Sequence, residues 1–265
     1  MTQTEVETLY AKCALARQAA FVYADRVGAL VSSLALCEDR DVLVDAIGGP
    51  GLRVPDVRAH AREVHAAGGR LLVDVTVPSH RGLRVFELGA DVQLEALDRI
   101  AGGRLGSKVV AVSACGALPL ESDPIAAEDL ESIMEGLQTA AARMQWHVDH
   151  ARALAEYLSC CDGLAGVWYP GLTSHPDHDL AARTLMHGFG PAVDFEMPDA
   201  WGVAAGELIA RCQLSGRSCP AGGSHTRLHA RDGVEGRAIR VFAGLDNPLE
   251  IAADLDRAMR SPRCA

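Results

Sequence analysis

The chain has 265 residues and a formal net charge of −10 at pH 7, with 49% hydrophobic and 23% charged residues. This is an ordinary globular balance, and the length suffices for one large domain or two modest ones. The negative charge argues against sequence-independent binding to nucleic-acid phosphates. The sequence has no apolar run of membrane-spanning length and begins without signal-peptide features. We therefore expect a cytoplasmic protein whose eight cysteines are reduced thiols.

The first half of the sequence alternates helical and strand-like segments. Helices are predicted over 7–18 and from Asp56 to the Gly68-Gly69 pair. Continuous apolar runs, typical of strands covered on both faces, occupy 41–47, 70–77, 90–97 and 108–114. This alternation predicts a parallel α/β sheet.

The second half is less regular. Asp123 as N-cap and Pro124 at the first helical position predict a long helix over 124–158. The remaining predicted elements are a short helix after Pro176, a strand over 192–197, a helix near 201–212, a loop over 214–224, a strand over 238–243 and a terminal helix starting at Asn247-Pro248. We interpret residues 1–144 as a large α/β domain and residues 145–265 as a smaller α+β domain.

The stretch YPGLTSHPDHDLA, from Tyr169 to Ala181, contains His175 and His178. Two histidines at this spacing can bind a metal from one helical face, as can the pair His147 and His150. Pro176 interrupts such a face, however, and the sequence offers no third ligand in a metal-binding motif. Capping or solvated histidines are the alternative interpretation.

The same stretch, followed by GFG and a strand, resembles the Cys/Met-metabolism family of pyridoxal-phosphate (PLP) enzymes. This family includes cystathionine γ-synthases, cystathionine γ-lyases and methionine γ-lyases. The resemblance extends over 48–57 (GGPGLRVPDV), 71–79 (LLVDVTVPS), 86–92 (FELGADV), 136–158 and 238–259. It implies a fold-type I PLP-transferase-like, parallel-rich α/β domain, here truncated, followed by a small α+β domain. It also implies PLP as the cofactor and a structural role for both histidines of the motif.

The resemblance assigns roles to individual residues. Asp74 takes the position of the carboxylate that holds the pyridine nitrogen of PLP protonated. Arg240 matches the arginine that pairs with the substrate carboxylate, and Gln213 replaces a serine beside it. Arg99 falls on the lysine that forms the imine, and a permanently protonated guanidinium cannot replace that lysine. Lys108 could serve instead only through a local shift in register.

Other positions also lack the residues with which the family binds its cofactor. Ala96 and Asp98 replace phosphate-binding hydroxyls, and Gly49 replaces an asparagine that contacts the cofactor. The segment 8–25 resembles the part of the family that follows the cofactor-stacking tyrosine, so the front of the family fold is expected to be missing. An open sheet edge would then need a partner, and we expect a homo- or hetero-oligomer with a catalytic relative or with a separate front half.

Three functions remain open on this basis. The first is a degenerate, non-catalytic homologue that acts as an accessory subunit or binds a carboxylate ligand. The second is a working PLP-dependent lyase or transferase of sulfur amino-acid metabolism that performs β/γ-elimination or γ-replacement. The third is a small-molecule binder, or an enzyme of different chemistry, that uses histidine or cysteine in the old cleft.

Overall fold

A computed structural model describes residues 2–33, 39–103, 105–118, 120–214, 223–233 and 235–260. The chain forms two compact units, one of Met1–Ile47 and Val54–Ala142, the other of Gly48–Arg53 and Arg143–Ala265. The segment Gly48–Arg53, which the sequence analysis counted with the first domain, therefore belongs to the second unit. Helix α5 runs through the division after Ala142.

The described elements follow in chain order. The helices are α1 (Gln3–Cys13), α2 (Val27–Ser33), α3 (Val57–Ala66), α4 (Ser79–Gly82), α5 (Ala127–Ser159), α6 (His178–Thr184), α7 (Ala205–Arg211) and α8 (Pro248–Arg260). The strands are β1 (Gln18–Tyr23), β2 (Val42–Asp45), β3 (Leu71–Asp74), β4 (Val92–Ala96), β5 (Val109–Ala114), β6 (Gly166–Trp168), β7 (Ala192–Glu196), β8 (Arg227–Ala230) and β9 (Ala238–Phe242). None of the helices in these described ranges is long and apolar enough to cross a membrane.

The first unit is built on a five-stranded sheet with the order β1-β5-β4-β3-β2. Strands β2, β3 and β4 pair in parallel, as the apolar runs predict. Strand β5 is antiparallel to both of its neighbours, so the sheet is mixed, with its parallel pairs among β2, β3 and β4. All six residues of β5 are buried, which explains why its sequence resembles a central parallel strand.

Helices cover this sheet through two apolar clusters. One includes Tyr10 of α1, Phe21 of β1 and Ile133 of α5. At its edge a methyl group on Gly136 would lie 2.5 Å from the backbone of Gly102. Only glycine allows helix α5 to approach the turn after β4 this closely, and this contact fixes the turn that carries Arg99.

The second unit contains a four-stranded antiparallel sheet with the order β6-β7-β9-β8. One face carries Phe195, Ile239 and Val241, which pack in an apolar cluster with α7, α8 and the second part of α5. The register places Trp168, Asp194 and Arg240 side by side. Because side chains alternate along strands, these three lie on the opposite, polar face.

Two local predictions are corrected. The first helix ends at Cys13 and not near residue 18, and a strand that was not predicted, β1, follows because Gln18–Tyr23 pairs along its whole length with β5. Asp123 does not cap α5, which begins at Ala127. Its carboxylate instead accepts a hydrogen bond from the Tyr23 backbone N–H at 2.9 Å, and its own N–H donates to the Phe21 carbonyl. The segment before α5 is thereby held beside β1. Most of the predicted loop over 214–224 lies outside the described residues.

Candidate functional site

Asp74 lies at the carboxyl end of β3, where ligands bind in parallel α/β sheets. Its Oδ1 accepts a hydrogen bond from the Thr76 N–H at 2.8 Å. Burial raises the pKa of Asp74 to about 6, because the hydrogen bonds from Thr76 oppose the cost of desolvation only in part and the nearby carboxylates of Asp45 and Glu95 add to it. Among the described residues the carboxylate has no cationic partner. It is therefore suited to a cationic or proton-donating group.

Glu95 on the neighbouring strand β4 is fully buried but well satisfied. The Tyr10 hydroxyl donates to Oε2 at 2.6 Å, the Ser79 hydroxyl donates to Oε1 at 2.5 Å, and His80 Nδ1 lies 2.9 Å from Oε2. Burial alone would raise the pKa of Glu95, but the charge of His80 and these hydrogen bonds outweigh burial and lower the pKa. Ser79 has a left-handed φ of 59°, which brings both α4 donors to this carboxylate. Sequence reasoning missed this network.

Arg99 and Lys108 both lie in the first unit, outside any such network. Arg99 follows β4, and its Nη1 lies 3.1 Å from the carboxylate of Asp98. Asp98 is buried, and this desolvation raises the pKa of its carboxyl group. The Lys108 ammonium pairs with Asp25 at 3.1 Å, and more than half of the Lys108 side chain is exposed. Neither cation interacts with Asp74 in the described structure, and Lys108 has the setting of an ordinary surface lysine.

Arg240 is buried on the polar face of the second unit's sheet. Its Nε donates to Asp194 Oδ1 at 2.6 Å and its Nη2 donates to Oδ2 at 2.8 Å. This bidentate geometry is the one that an arginine offers to any carboxylate. The position predicted to bind a substrate carboxylate is thus filled by a carboxylate of the same chain, which the sequence analysis did not assign.

The same ion pair binds the segment Gly48–Arg53. Arg240 Nη2 also donates to the Gly49 carbonyl at 2.7 Å, and the Gly51 N–H donates to Asp194 at 3.1 Å. His175 Nε2 donates to the Gly51 carbonyl at 2.8 Å. Gly49 and Gly51 have positive φ angles of 61° and 70°, which lets this short segment turn its polar groups toward the sheet. These contacts explain why the segment belongs to the second unit.

Gln213 and Arg240 contact different residues. The backbone N–H groups of Gln213 and Leu214 donate to the carboxylate of Asp254, which also pairs with Arg257. The side chain of Gln213 is exposed. Arg240 and Gln213 therefore engage two different internal carboxylates.

The paired histidines bond to backbone carbonyl groups. His178 Nδ1 donates to the Pro170 carbonyl, and the ring stacks on Phe189. His147 and His150 donate to the carbonyls of Ala243 and Gly244. In the described part of the chain, no cluster of three or more His, Cys, Asp or Glu side chains is arranged to hold a metal, and the described cysteines are free thiols.

Comparison with known proteins gives a family match over most of the chain. The family model for Cys/Met metabolism PLP-dependent enzymes matches residues 15–260. The cystathionine gamma-synthase of Mycobacterium tuberculosis is 30% identical over 262 residues, covering 89% of this chain and 64% of that protein. The O-succinylhomoserine sulfhydrylase of Pseudomonas aeruginosa is 30% identical over 238 residues, covering 82% and 59%. The chain thus spans less than two thirds of the length of these relatives.

Solved structures share the fold. A methionine gamma lyase, apo CalE6 from Micromonospora echinospora, superposes with a TM-score of 0.79 at 23% identity, covering 96% of this chain and 85% of that one. A cystathionine gamma-lyase from Lactobacillus plantarum complexed with L-serine gives a TM-score of 0.81 at 18% identity, covering 97% and 85%. The predicted fold class, a fold-type I α/β domain with a smaller α+β domain, is confirmed.

Proposed function

We propose that this chain, which belongs to the Cys/Met metabolism family of PLP-dependent enzymes, is a non-catalytic member of that sulfur amino-acid family. The observation that carries the proposal is the setting of its lysines. The sequence contains two, Lys12 and Lys108. Lys12 is exposed in the last turn of α1, and Lys108 is exposed and paired with Asp25. An imine-forming lysine is normally desolvated or placed beside a cation, which lowers its pKa and frees its lone pair.

The residues present fit PLP only in part. When bound, this cofactor supplies an electron sink for carbanions formed at the substrate. Asp74 suits the pyridine nitrogen, because a buried carboxylate without a cationic partner favours a protonated ring beside it. Arg99, at the proposed lysine position, cannot form an imine, and Asp98 beside it would repel a phosphate dianion. We therefore derive no catalytic step through this group.

Arg240 supports the same proposal. An incoming substrate carboxylate would have to displace Asp194 from both hydrogen bonds. It would also release Gly51, whose N–H donates to Asp194. Asp194 would then keep only the more distant Arg231, 3.8 Å away, and breaking a buried ion pair typically costs about 3–5 kcal/mol. Arg240 thus has a structural role and is a poor carboxylate receptor.

The experiment is to incubate the purified chain with PLP, reduce it with borohydride and map the adducts by peptide mass spectrometry. We expect no stoichiometric, site-specific pyridoxyl adduct in the wild-type chain. In Arg99→Lys we expect a specific adduct on residue 99, if that residue occupies the reacting position. A wild-type adduct at Lys108 that disappears in Lys108→Arg but persists in Lys12→Arg would overturn the proposal.

A second candidate rests on Asp74. Its raised pKa and lack of a cationic partner favour a working PLP-dependent lyase or transferase acting on sulfur amino acids, with a lysine from elsewhere. The Lys108 adduct described above, or an adduct on a co-purified chain, would support it.

We also propose that the chain acts as a partner subunit in an oligomer. Among the described strands of the first unit, β1 and β2 stand at the edges of the sheet, and Val42 of β2 is a partly exposed apolar residue. Light scattering after size exclusion tests this, with Val42→Lys expected to weaken association and Leu249→Lys, on the surface of α8, as the matched control. A strictly monomeric wild-type chain at micromolar concentration would overturn the oligomer.

A further inference from the structure

The second unit contains a cavity of about 320 Å³ on the polar face of its sheet. Residues of this unit alone line it, including Trp168, Glu196, Arg231 and Ala238. The volume falls within the range of small-molecule sites in proteins. The cavity is therefore large enough for a ligand and depends on a single compact unit.

The strand register explains the arrangement. Glu196 of β7 lies opposite Ala238 of β9, and the Arg231 N–H donates to the Ala238 carbonyl from the other side. Glu196 and Arg231 are thus two strand spacings apart, about 10 Å between backbones, with the small Ala238 side chain between them. A negative and a positive side chain face each other across an apolar floor.

Among the described residues, neither charge is hydrogen-bonded by a side chain of opposite charge, and only Arg231 has an ion-pair partner, Asp194. The Arg231 guanidinium approaches Asp194 only to 3.8 Å, beyond hydrogen-bond distance, although the Arg231 side chain is 19% exposed. Asp194 is already bonded to Arg240 and to the Gly51 N–H. Glu196 makes no side-chain hydrogen bond or ion pair within the described ranges. Partly buried charges of this kind gain most from a ligand that supplies the missing counter-charge.

The other residues that line the cavity add an aromatic wall and further charges. Trp168 packs against Gly51, where an added methyl group would lie 3.2 Å from its ring, and Pro176 lines the same side. Asp232 adds a further carboxylate to the lining. Arg53 and Asp194 also line the cavity, but Arg53 is paired with Asp177 and Asp194 with Arg240. Apart from these two internally paired residues, the cavity offers the Arg231 cation, the carboxylates of Glu196 and Asp232 and an aromatic wall, which suits a ligand with a cationic end, an apolar middle and an anionic end.

We propose that this cavity binds a small zwitterion, with its carboxylate on Arg231, its ammonium group on Glu196 and an apolar linker over Ala238 and Trp168. Arg240 does not line this cavity, and its guanidinium is already paired with Asp194. The proposed binding is independent of whether the chain is catalytic.

The test uses ω-amino acids of increasing length, from glycine to 6-aminohexanoate, with ligand-observed NMR and calorimetry at up to about 10 mM. We expect 6-aminohexanoate to bind more tightly than glycine, because the backbones of Glu196 and Arg231 are two strand spacings apart and a longer molecule can better reach both side chains. Hexanoate and hexylammonium, which keep one charge each, should bind at least about tenfold more weakly. No binding across the series, or equal binding of hexanoate, overturns the proposal.

Variants locate the site. Arg231→Gln and Glu196→Gln should each weaken 6-aminohexanoate binding about tenfold or more. Arg237→Gln is the matched control, since it removes the same charge from an exposed pair with Asp199 outside the cavity lining. Circular dichroism checks that each variant is folded, and Arg231→Lys, which keeps the charge, should retain part of the binding. Unchanged affinity in folded Arg231→Gln and Glu196→Gln overturns this location.

Discussion

Replacing Asp74 by asparagine should stabilise the first unit above neutral pH. The carboxyl group ionises near 3.8 in the unfolded chain and near 6 in the fold. The difference corresponds to about 3 kcal/mol, and to about 1–3 kcal/mol once the partial exposure of the side chain is allowed for. The favourable contribution of the protonated group is complete below pH 3.8 and is lost as the pH rises through 6. Asparagine stays neutral and can keep the hydrogen bond from the Thr76 N–H.

The assay must report on the first unit. The three tryptophans, Trp146, Trp168 and Trp201, all belong to the second unit, so tryptophan fluorescence would follow the wrong part of the chain. Hydrogen exchange of the β3 amides at about pH 5 and about pH 8 measures the local free energy of opening instead. The advantage of Asp74→Asn should grow with pH, while Asp25→Asn, at an exposed carboxylate, should show no such trend. An Asp74→Asn chain no more stable than wild type at about pH 8 would refute the raised pKa.

The remaining predictions concern the other buried charges. Glu95→Gln should destabilise the first unit by about 2–4 kcal/mol. Because the pKa of Glu95 is lowered in the fold, the stability that its carboxylate contributes to the wild-type chain should be lost on acid titration. Asp194→Asn should cost about 3–5 kcal/mol in urea unfolding followed by tryptophan fluorescence, because it leaves Arg240 buried and unpaired, whereas Arg53→Gln, at an exposed pair with Asp177, should cost under about 1 kcal/mol. Burial lowers the pKa of His147 to about 4, so the stability of the second unit should fall between pH 6.5 and 4, and a His147→Gln chain should lack that part of the decline.

The sequence predicts well the elements that bury an apolar face by themselves. Strands β2, β3, β4, β7 and β9 follow from short apolar runs, and α8 follows from its periodicity and its Asn247-Pro248 start. Strand β1 could not be found in this way. Its residues follow helix α1 and include helix-forming alanines, and they become a strand only by pairing with β5, about 90 residues later. Non-local pairing overrides local propensity here.

In the candidate site, too, the features set by local sequence could be predicted and those set by distant residues could not. That Asp74 ends a strand follows from the apolar run before it, and β3 ends there. The network around Glu95 draws on Tyr10, Ser79 and His80, which are 15 to 85 residues away in the sequence. A lone glutamate inside an apolar strand signals that partners must exist, because an unpaired buried carboxylate is too costly. The sequence does not say which residues these partners are.

Arg240 and Asp194 show how a residue on a neighbouring strand can decide the role of an arginine. A buried arginine without a counter-ion destabilises the fold, so a chain that lets a ligand supply the carboxylate must tolerate a weaker ligand-free state. In this chain Asp194 supplies the carboxylate permanently, and the same pair holds the Gly48–Arg53 segment. Arg240 can then be retained for stability with no ligand at all. A matching arginine in the sequence is therefore weak evidence for substrate binding until the residue opposite it on the neighbouring strand is known.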